Sequence, residues 1–365
     1  MSAYDVIVVG LGAMGGAAAY HAARRGARVL GLDGNPPGHA LGSSHGQTRA
    51  IRETYFEAPD YVPLVQRAYD LWAELEAEAG EPLLTESGAL YLAPAGHPML
   101  AGVSRAAADH GLATESLSQK DTAARFPGFT LPAGWRAIHE RRGGILQAER
   151  CLAAHLDLAR RHGAEFRFDA PATAWRPCGD GIEVSTPKGR FTAGRVVLTL
   201  GPWAPTALAG LSLPLSGRRI TVVHLAPAAP DAFDAATYSV FFLAGPEGVF
   251  AGFPYLPGEG VKIMRHDTGD VCTPETVRRA VSAADVAEVT DFVARTMPRA
   301  LGRVMGAHVC LYTMTPDTHF IVDHHPALDG VTYATGFSGH GFKFAPVIGE
   351  ALADLALDGA TRLPI

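Results

Sequence analysis

The stretch Tyr-Asp-Val-Ile-Val-Val-Gly-Leu-Gly-Ala-Met-Gly, residues 4–15, decides the fold of this chain. Its first six residues are mostly Val and Ile, which predicts a buried parallel strand. Residues 13–25 are rich in Ala and predict a helix, which Gly26 ends. Residues 28–33 form a second apolar run, which predicts a second strand ending in Asp33. Strand, glycine turn, helix and strand in this order make a βαβ unit.

Three glycines, Gly10, Gly12 and Gly15, form the pattern G-x-G-x-x-G at the first turn of this unit. Because they carry no side chains, backbone N–H groups can approach a pyrophosphate at the positive end of the helix dipole. Asp33 can accept a hydrogen bond from a ribose hydroxyl. A glycine-rich turn without a ligand is the alternative, but the second strand and its terminal acid favour dinucleotide binding. The motif does not distinguish FAD from NAD.

The length, net charge and cysteine content of the chain narrow the possible classes of function. A chain of 365 residues is long for one core, so two domains are expected. The net charge of -6 gives no basic field, so nucleic acid is not an expected partner. The four cysteines form no C-x-x-C pair, which indicates a reducing compartment without a disulfide framework. Glycines interrupt the apolar run of residues 6–23, so it predicts a strand and helix rather than a membrane segment, and a cytoplasmic protein is expected.

Elements of the first domain are scattered along the chain. The sequence predicts a helix over 60–80, capped by Asp60 and ended by Gly80, an antiparallel meander over 165–192, a helix in two pieces over 275–297 and a terminal helix over 345–357. Apolar runs with antiparallel character in residues 218–265 predict a second sheet with one face free for a pocket. The expected fold is α/β, a Rossmann-type domain interleaved with an antiparallel-sheet α+β substrate domain. The predicted boundaries are 1–82, 145–215 and 305–365 for the dinucleotide-binding domain, and 83–144 and 216–304 for the substrate-binding domain.

Three smaller patterns leave their function open. Arg49 and Arg52 share a face if residues 48–52 are helical, and a solvated basic face is the alternative. Residues 323–325 are Asp-His-His, but adjacent side chains on a strand point apart, so no metal is expected. Ser338 and His340 lack a nucleophile elbow and an orienting acid, so a hydrolase is not expected either.

The chain is similar over nearly its whole length to the monomeric sarcosine oxidase and N-methyltryptophan oxidase family, within the D-amino-acid-oxidase-like flavoproteins. The last of the matching segments, Gly-Phe-Ser-Gly-His-Gly-Phe-Lys-Phe, is highly specific. The segments that carry the resemblance are residues 4–15, 42–52, 61–64 and 252–254, Lys262 with His266, Cys310-x-Tyr312-Thr313, and residues 336–344.

The resemblance, and no feature of composition, implies FAD as the cofactor. It also implies a thioether from Cys310 to the flavin, although a single cysteine in a predicted strand is more often a small buried hydrophobe. A thioether would hold the ring and alter its redox potential. The positions that the resemblance assigns to the cofactor are Gly10, Gly12, Gly15, Asp33, Ser43, His45, Arg49, Cys310, Gly336, Gly339, Gly341 and Lys343.

The resemblance likewise implies a substrate pocket. Arg52 and Lys343 match a pair of cations that bind the substrate carboxylate. Lys262 matches a lysine that activates oxygen, because a cation stabilises the charge that develops on O2. Further positions in the pocket are Arg49 at the flavin face, His266 and Tyr312 near the amine, and Ala251 and Tyr55 in matching segments.

The implied reaction is oxidation of the C–N bond of a secondary amino acid or amine to an imine, with O2 accepting the electrons and hydrogen peroxide released. A monomer is expected, with no membrane partner. Ala251 stands where the family usually has Tyr, which predicts a roomier pocket and a bulkier substrate, and Ser44 stands where it often has a second His. The alternatives are an oxidase of glycated amino acids or of cyclic imino acids, a flavin dehydrogenase with another acceptor, and a flavin-binding module without activity.

Overall fold

A computed structural model describes residues 4–365 of the chain. The strands of this part are β1 Tyr4–Val9, β2 Val29–Leu32, β3 Thr48–Ile51, β4 Leu84–Glu86, β5 Ala89–Pro94, β6 Thr114–Leu117, β7 Trp135–Glu140, β8 Gly144–Gln147, β9 Glu165–Arg167, β10 Ala174–Cys178, β11 Gly181–Thr186, β12 Gly189–Leu198, β13 Ser216–Pro227, β14 Val240–Gly245, β15 Gly248–Leu256, β16 Gly260–Arg265, β17 Asp270–Val271, β18 Gly302–Met314, β19 Ile321–His324 and β20 Val331–Thr335. The helices are α1 Ala13–Arg24, α2 Tyr61–Ala79, α3 Pro98–His110, α4 Gln119–Arg125, α5 Ala148–Arg161, α6 Ala204–Ala207, α7 Ala283–Thr296 and α8 Ala345–Leu357.

The first sheet has the order β10-β11-β12-β1-β2-β9, and β20 pairs with β12 and β19 with β20. Its centre, β20, β12, β1, β2 and β9, is parallel. Helices α5 and α8 pack on α1 over one face of this sheet. Helix α8 packs closely on α1 at Gly349, where there is no room for a side chain. A Cβ added to Gly349 would lie 2.5 Å from Cβ of Ala17. This layer of helices makes the largest apolar core of the described chain.

The second sheet has the order β17-β13-β16-β15-β14-β5-β7-β6, with β18 also paired to β13. Its pairs are antiparallel except for β14 with β5. One face packs on α7 and the segment 126–131, and the other packs on α3 and on residues of β3 and β8. A third, small sheet has the order β3-β8-β4.

Several predicted elements are confirmed. The βαβ unit is β1, α1 and β2, and α8 covers the predicted residues 345–357. Helix α2 ends where Gly80 takes the left-handed conformation with φ 73°, as predicted, but the side chain of Asp60 does not cap its start. No helix among residues 4–365 combines the length and apolarity that crossing a bilayer requires.

Other elements differ from the expectation. Residues 48–51 are a strand rather than a helix, because β3 pairs with β8. Strand β9 is parallel to β2 and does not join the meander expected around it. The helix expected over 275–297 is only α7, which begins after a capping box formed by Ser282 and Asp285. Strand β18 pairs with β13 of the second sheet along its length.

Candidate active site

A cavity of about 760 Å³ runs from the glycine turn of the first sheet to the second sheet. Its walls are the turns that follow β1, β2 and β12, the loop 34–45, one face of β13–β16 and β18, and the segment 334–343. Ligands of open α/β sheets bind outside the carboxyl ends of parallel strands, and these turns lie there. The volume is within the range of ligand pockets, about 300–1,000 Å³.

The glycine turn leaves no room for side chains. Gly10 has a φ of +90°, and a Cβ there would lie 2.3 Å from the carbonyl oxygen of Thr199. A Cβ on Gly15 would lie 1.8 Å from the carbonyl oxygen of Gly10. Gly12 precedes α1 with extended backbone and lines the cavity. The N-terminus of α1 therefore opens into the cavity, as a pyrophosphate site requires.

Asp33 directly follows β2, and its carboxylate holds the glycine turn that follows β1. Its Oδ2 accepts the N–H of Leu11 at 2.7 Å, and its Oδ1 accepts the N–H of Asn35 at 2.8 Å. Each carboxylate oxygen has a second acceptor site, so a ribose hydroxyl can still be bound. Ser44 Oγ accepts the N–H of Ala13, which ties the loop to the start of α1.

The loop of residues 43–49 is fastened by Arg49. Its Nη2 donates to the carbonyl oxygens of Ser43 and His45, at 3.0 and 2.6 Å. Ser43 Oγ donates to the carbonyl of Leu311, so the loop also lies against β18. His45 Nε2 is buried and has no hydrogen-bond partner, although the side chain lines the cavity. An unpartnered polar atom in a cavity wall is a position where a ligand can supply the partner.

The face of the second sheet carries two rows of neighbouring side chains. Because residues two apart on a strand share a face, the rows lie side by side on the cavity. The first row is Phe242, Ala251, Met264, Val222 and His308, and the second contains Phe253, Lys262 and His224.

Cys310 lies two residues after the first row on β18, on the same face. It is a free cysteine, 7% exposed, and it lines the cavity. Its Sγ is 4.0 Å from Nη2 of Arg49. The sulfur of Cys310 therefore faces the cavity beside the guanidinium of Arg49.

Lys262 is buried, with 4% of its surface exposed. Its Nζ donates to the carbonyl oxygen and to Oγ1 of Thr48, at 2.8 and 3.0 Å, and lies 4.4 Å from the ring centre of Phe253. Burial, and then the charge of Arg49, lowers the pKa of Lys262 to about 7. The amine therefore changes charge near neutral pH, beside a cavity wall.

His266 and Tyr312 form one polar pair in the same wall. Nδ1 of His266 is 3.0 Å from the Tyr312 hydroxyl. Burial lowers the pKa of His266 to about 4 and raises that of Tyr312. Both groups are therefore neutral at pH 7, and they can orient an amine without adding charge. Gly339 packs on this pair, since a Cβ there would lie 2.4 Å from the ring of Tyr312.

Arg52 is fully buried and reaches the cavity wall. Its Nη2 donates to both carboxylate oxygens of Glu57, at 2.5 and 2.7 Å, and its Nη1 donates to the carbonyl of Thr54. Burial is the largest single effect and raises the pKa of Glu57, but the charge and hydrogen bond of Arg52, together with other neighbouring groups, outweigh it and lower the pKa to about 2. Nε of Arg52 has no partner, so the guanidinium keeps a donor for a ligand.

Lys343 is the second buried basic side chain. Its Nζ donates to the carbonyl of His340 at 2.6 Å, and burial and the charge of Arg52 hold its pKa well below the ordinary value. The ring of His340 contacts the Tyr55 hydroxyl through Nδ1 and the carbonyl of Thr318 through Nε2. Tyr55 in turn lies 4.3 Å under the guanidinium of Arg52. His340 therefore contacts Tyr55, which packs on Arg52, and also accepts a hydrogen bond from Lys343.

The structure brings the residues expected from the sequence to one cavity, with two exceptions. Gly15 packs beneath Gly10, and Tyr55 lies behind Arg52, so neither reaches the wall. The expected residues that line it are Gly10, Gly12, Asp33, Ser43, His45, Arg49, Arg52, Ala251, Lys262, His266, Cys310, Tyr312, Gly336, Gly339, Gly341 and Lys343.

Three residues of the site were missed in the sequence. Glu57 follows Arg52 by five positions, a spacing that no local rule links to an ion pair. The sequence singles out His340 only through its spacing from Ser338, as a hydrolase base that is not expected. Phe242 lies opposite Ala251, and only the alternation of Val240, Phe242 and Ala244 could have indicated a face exposed to the pocket.

Comparison with known proteins gives one consistent result. The family model described as FAD dependent oxidoreductase matches residues 5–355. The monomeric sarcosine oxidase of Streptomyces avermitilis is 42% identical over 99% of this chain and 96% of its own. The N-methyl-L-tryptophan oxidase of Salmonella arizonae is 36% identical over 97% of this chain and 95% of its own. The open form of NikD, an unusual amino acid oxidase essential for nikkomycin biosynthesis, superposes with a TM-score of 0.88, at 26% identity over 99% of this chain and 96% of its own.

Proposed function

The chain belongs to the family of FAD dependent oxidoreductases, and from this premise we propose that it oxidises the C–N bond of a secondary amino acid or amine to an imine. The substrate carries an N-methyl or N-alkyl group, O2 accepts the electrons and hydrogen peroxide is released. The observation that carries the proposal is the pair of buried cations, Arg52 and Lys343, in the same cavity as the neutral pair of His266 and Tyr312.

The residues present fit FAD. The glycine turn and the N-terminus of α1 suit its pyrophosphate, and Asp33 keeps acceptor sites for its ribose. The unpartnered Nε2 of His45 supports a ligand group at the loop 43–49. When bound, FAD supplies the two-electron acceptor for the amine. We extend the proposal to a thioether at Cys310, whose buried sulfur faces the cavity beside Arg49.

The carboxylate of the substrate is bound by Arg52 and Lys343. Arg52 offers its unpartnered Nε, and a carboxylate near Lys343 favours the protonated form of that buried amine. These residues hold the substrate so that its C–H bond meets the acceptor.

The amine of the substrate is received by His266 and Tyr312. Both are neutral at pH 7, so the amine is not repelled, and their shared hydrogen bond orients them. Lys262 stands apart from this pair, hydrogen-bonded to Thr48, and supplies a cation for the charge that develops on O2. We assign no strong general base to the C–H bond.

The proposal is tested by mixing the holoenzyme anaerobically with sarcosine, N-methyltryptophan, N-methylalanine, proline, pipecolate, a fructosyl amino acid and simple secondary amines. We expect N-methyl amino acids to bleach the flavin absorbance, and air to restore it with release of hydrogen peroxide. Bleaching by proline or pipecolate alone would instead indicate a cyclic imino acid oxidase. Bleaching that air does not reverse would indicate a dehydrogenase, and no bleaching by any amine would contradict the proposal.

A further inference from the structure

Ala251 does not open the pocket by itself, because Phe242 stands next to it. The two are direct cross-strand partners on β14 and β15, and both side chains line the cavity. Ala251 is in turn the partner of Met264 on β16. The small side chain therefore lies between two large ones in one row of the sheet.

The ring of Phe242 leans over the strand that carries Ala251. Phe242 is on β14 and His266 follows β16, so β15 lies between them. Strands two apart are separated by about 9.6 Å, yet the ring centres of Phe242 and His266 are 6.0 Å apart, at an interplanar angle of 64°. The two rings therefore meet above β15, where the neighbouring side chains on the cavity face are Ala251 and Val249. A large residue at 251 would stand in this space.

Contacts on its other sides hold the ring of Phe242 in this position. It stacks on Tyr91, with centres 5.8 Å apart at 13°, and meets Phe56 edge to face at 5.8 Å. The guanidinium carbon of Arg52 lies 5.0 Å from its centre. The ring thus spans the interval from Arg52, which receives the carboxylate, to His266, which receives the amine.

We propose that Phe242, leaning over Ala251, is the specificity-determining residue of the site and limits the substituent on the α-carbon of the substrate. In an α-amino acid one carbon joins the carboxylate to the amine, so this carbon lies along the ring of Phe242. A large substituent directed at the ring collides with it. The substrate class is an N-methyl amino acid with a small α-substituent, and the roomier pocket that Ala251 predicts is filled from the neighbouring strand.

This inference rests on the proposed function for its substrate, so its test includes a measurement that needs no turnover. The variants are Phe242→Ala and the more conservative Phe242→Leu. Phe241→Leu is the matched control, because Phe241 is the adjacent residue on β14 and lies in the core on the opposite face of the sheet. Dissociation constants of acetate and phenylacetate are measured from the flavin absorbance, and kcat and KM are measured for sarcosine and N-methyl-L-phenylalanine.

We expect Phe242→Ala to raise the preference for phenylacetate over acetate at least tenfold, and Phe242→Leu to raise it less. The preference for the bulky substrate rises in parallel, through KM more than kcat. Phe241→Leu leaves both ratios within about twofold of the wild type. A ratio unchanged in both Phe242 variants overturns the inference. If wild-type holoenzyme oxidises no amine but the inhibitor ratio shifts as expected, the proposed function fails while the role of Phe242 stands.

A second pair of variants tests the coupling of Phe242 to Ala251. Ala251→Tyr alone is expected to weaken binding of both acetate and phenylacetate, because the new ring displaces Phe242 from Arg52. Phe242→Ala combined with Ala251→Tyr is expected to restore acetate binding to within about threefold of the wild type. Additive effects of the two substitutions would contradict the contact.

Discussion

The guanidinium of Arg52 is held by both carboxylate oxygens of Glu57, at 2.5 and 2.7 Å, in the wall of the cavity. The residue proposed to bind the carboxylate of the substrate therefore already has a carboxylate from its own chain. Only 15% of the Glu57 side chain is exposed, so water screens the pair weakly. The substrate must displace Glu57 or share the guanidinium with it, and in either case Glu57 opposes binding.

Glu57→Gln is therefore expected to tighten carboxylate binding. The amide keeps the size of the side chain but removes the competing charge, and we expect the dissociation constant of acetate to fall about tenfold. Without ligand the variant is less stable, since a buried arginine loses its ion partner, at a cost on the order of 3 kcal/mol. Acetate should raise its melting temperature more than that of the wild type. Glu74→Gln, which breaks an exposed pair with Arg24, is the control. Weaker acetate binding in Glu57→Gln would show that Glu57 does not compete with the ligand carboxylate for Arg52.

Lys262→Met is expected to slow the reaction with O2. Burial lowers the pKa of Lys262 to about 7, so the amine is protonated below this pH and neutral above it. The rate at which air reoxidises the substrate-reduced holoenzyme should therefore fall as pH rises through about 7. In Lys262→Met the rate should be lower by about 10²-fold, the effect of losing one electrostatic donor, and should not vary in this pH range.

Stopped-flow absorbance measures the rate of flavin reoxidation, and Lys120→Met, at an exposed lysine, is the control. Anaerobic reduction at the wild-type rate would separate this effect from damage to the amine site.

Cys310→Ser is expected to leave the flavin dissociable. Acid precipitation of the wild type should carry the yellow colour into the pellet, because a thioether survives unfolding. The same treatment of Cys310→Ser should release FAD into the supernatant. Cys178→Ser, at an exposed cysteine, is the matched control and should behave as the wild type. Release of FAD from the wild type itself would exclude the thioether.

His21 and His155 are expected to make the protein sensitive to acid. His21 lies on α1 and His155 on α5. Both side chains are buried, neither lines the cavity, and neither Nε2 has a hydrogen-bond partner. Burial lowers the pKa of each from 6.5 to about 3, so the unfolded chain binds protons that the folded chain does not. The contribution of each histidine to the free energy of unfolding should therefore be fully present above about pH 6.5 and be lost as pH drops towards 3. At pH 5 the loss is about 2 kcal/mol for each histidine.

The variant His21→Leu/His155→Leu should lose less stability than the wild type between pH 7 and pH 5. Thermal unfolding followed by circular dichroism at the two pH values measures the difference. His110→Gln, in the last turn of α3 and only partly buried, is the control and should lose as much as the wild type. An equal loss in the double variant would show that other groups cause the acid sensitivity.

The sequence by itself determined the βαβ unit, the terminal helix α8 and the family, because these depend on local patterns: the glycine turn, the period of the apolar residues and the specific segment 336–344. It also named 16 of the residues that line the cavity, since the family motifs carry those positions. It could not predict that β3 is a strand, because pairing with β8 decides this from a distance of nearly 100 residues.

Only the tertiary structure decided how these residues act on one another. Strand register is set by packing across the whole sheet, so the sequence could not say that Phe242 faces Ala251. The ion pair of Arg52 with Glu57 depends on how the chain turns after β3, which no spacing rule predicts. The neutral state of His266 and the lowered pKa of Lys262 arise from burial, which exists only once both sheets close around the cavity. Desolvation and register are properties of the assembled fold, because each depends on residues distant in sequence.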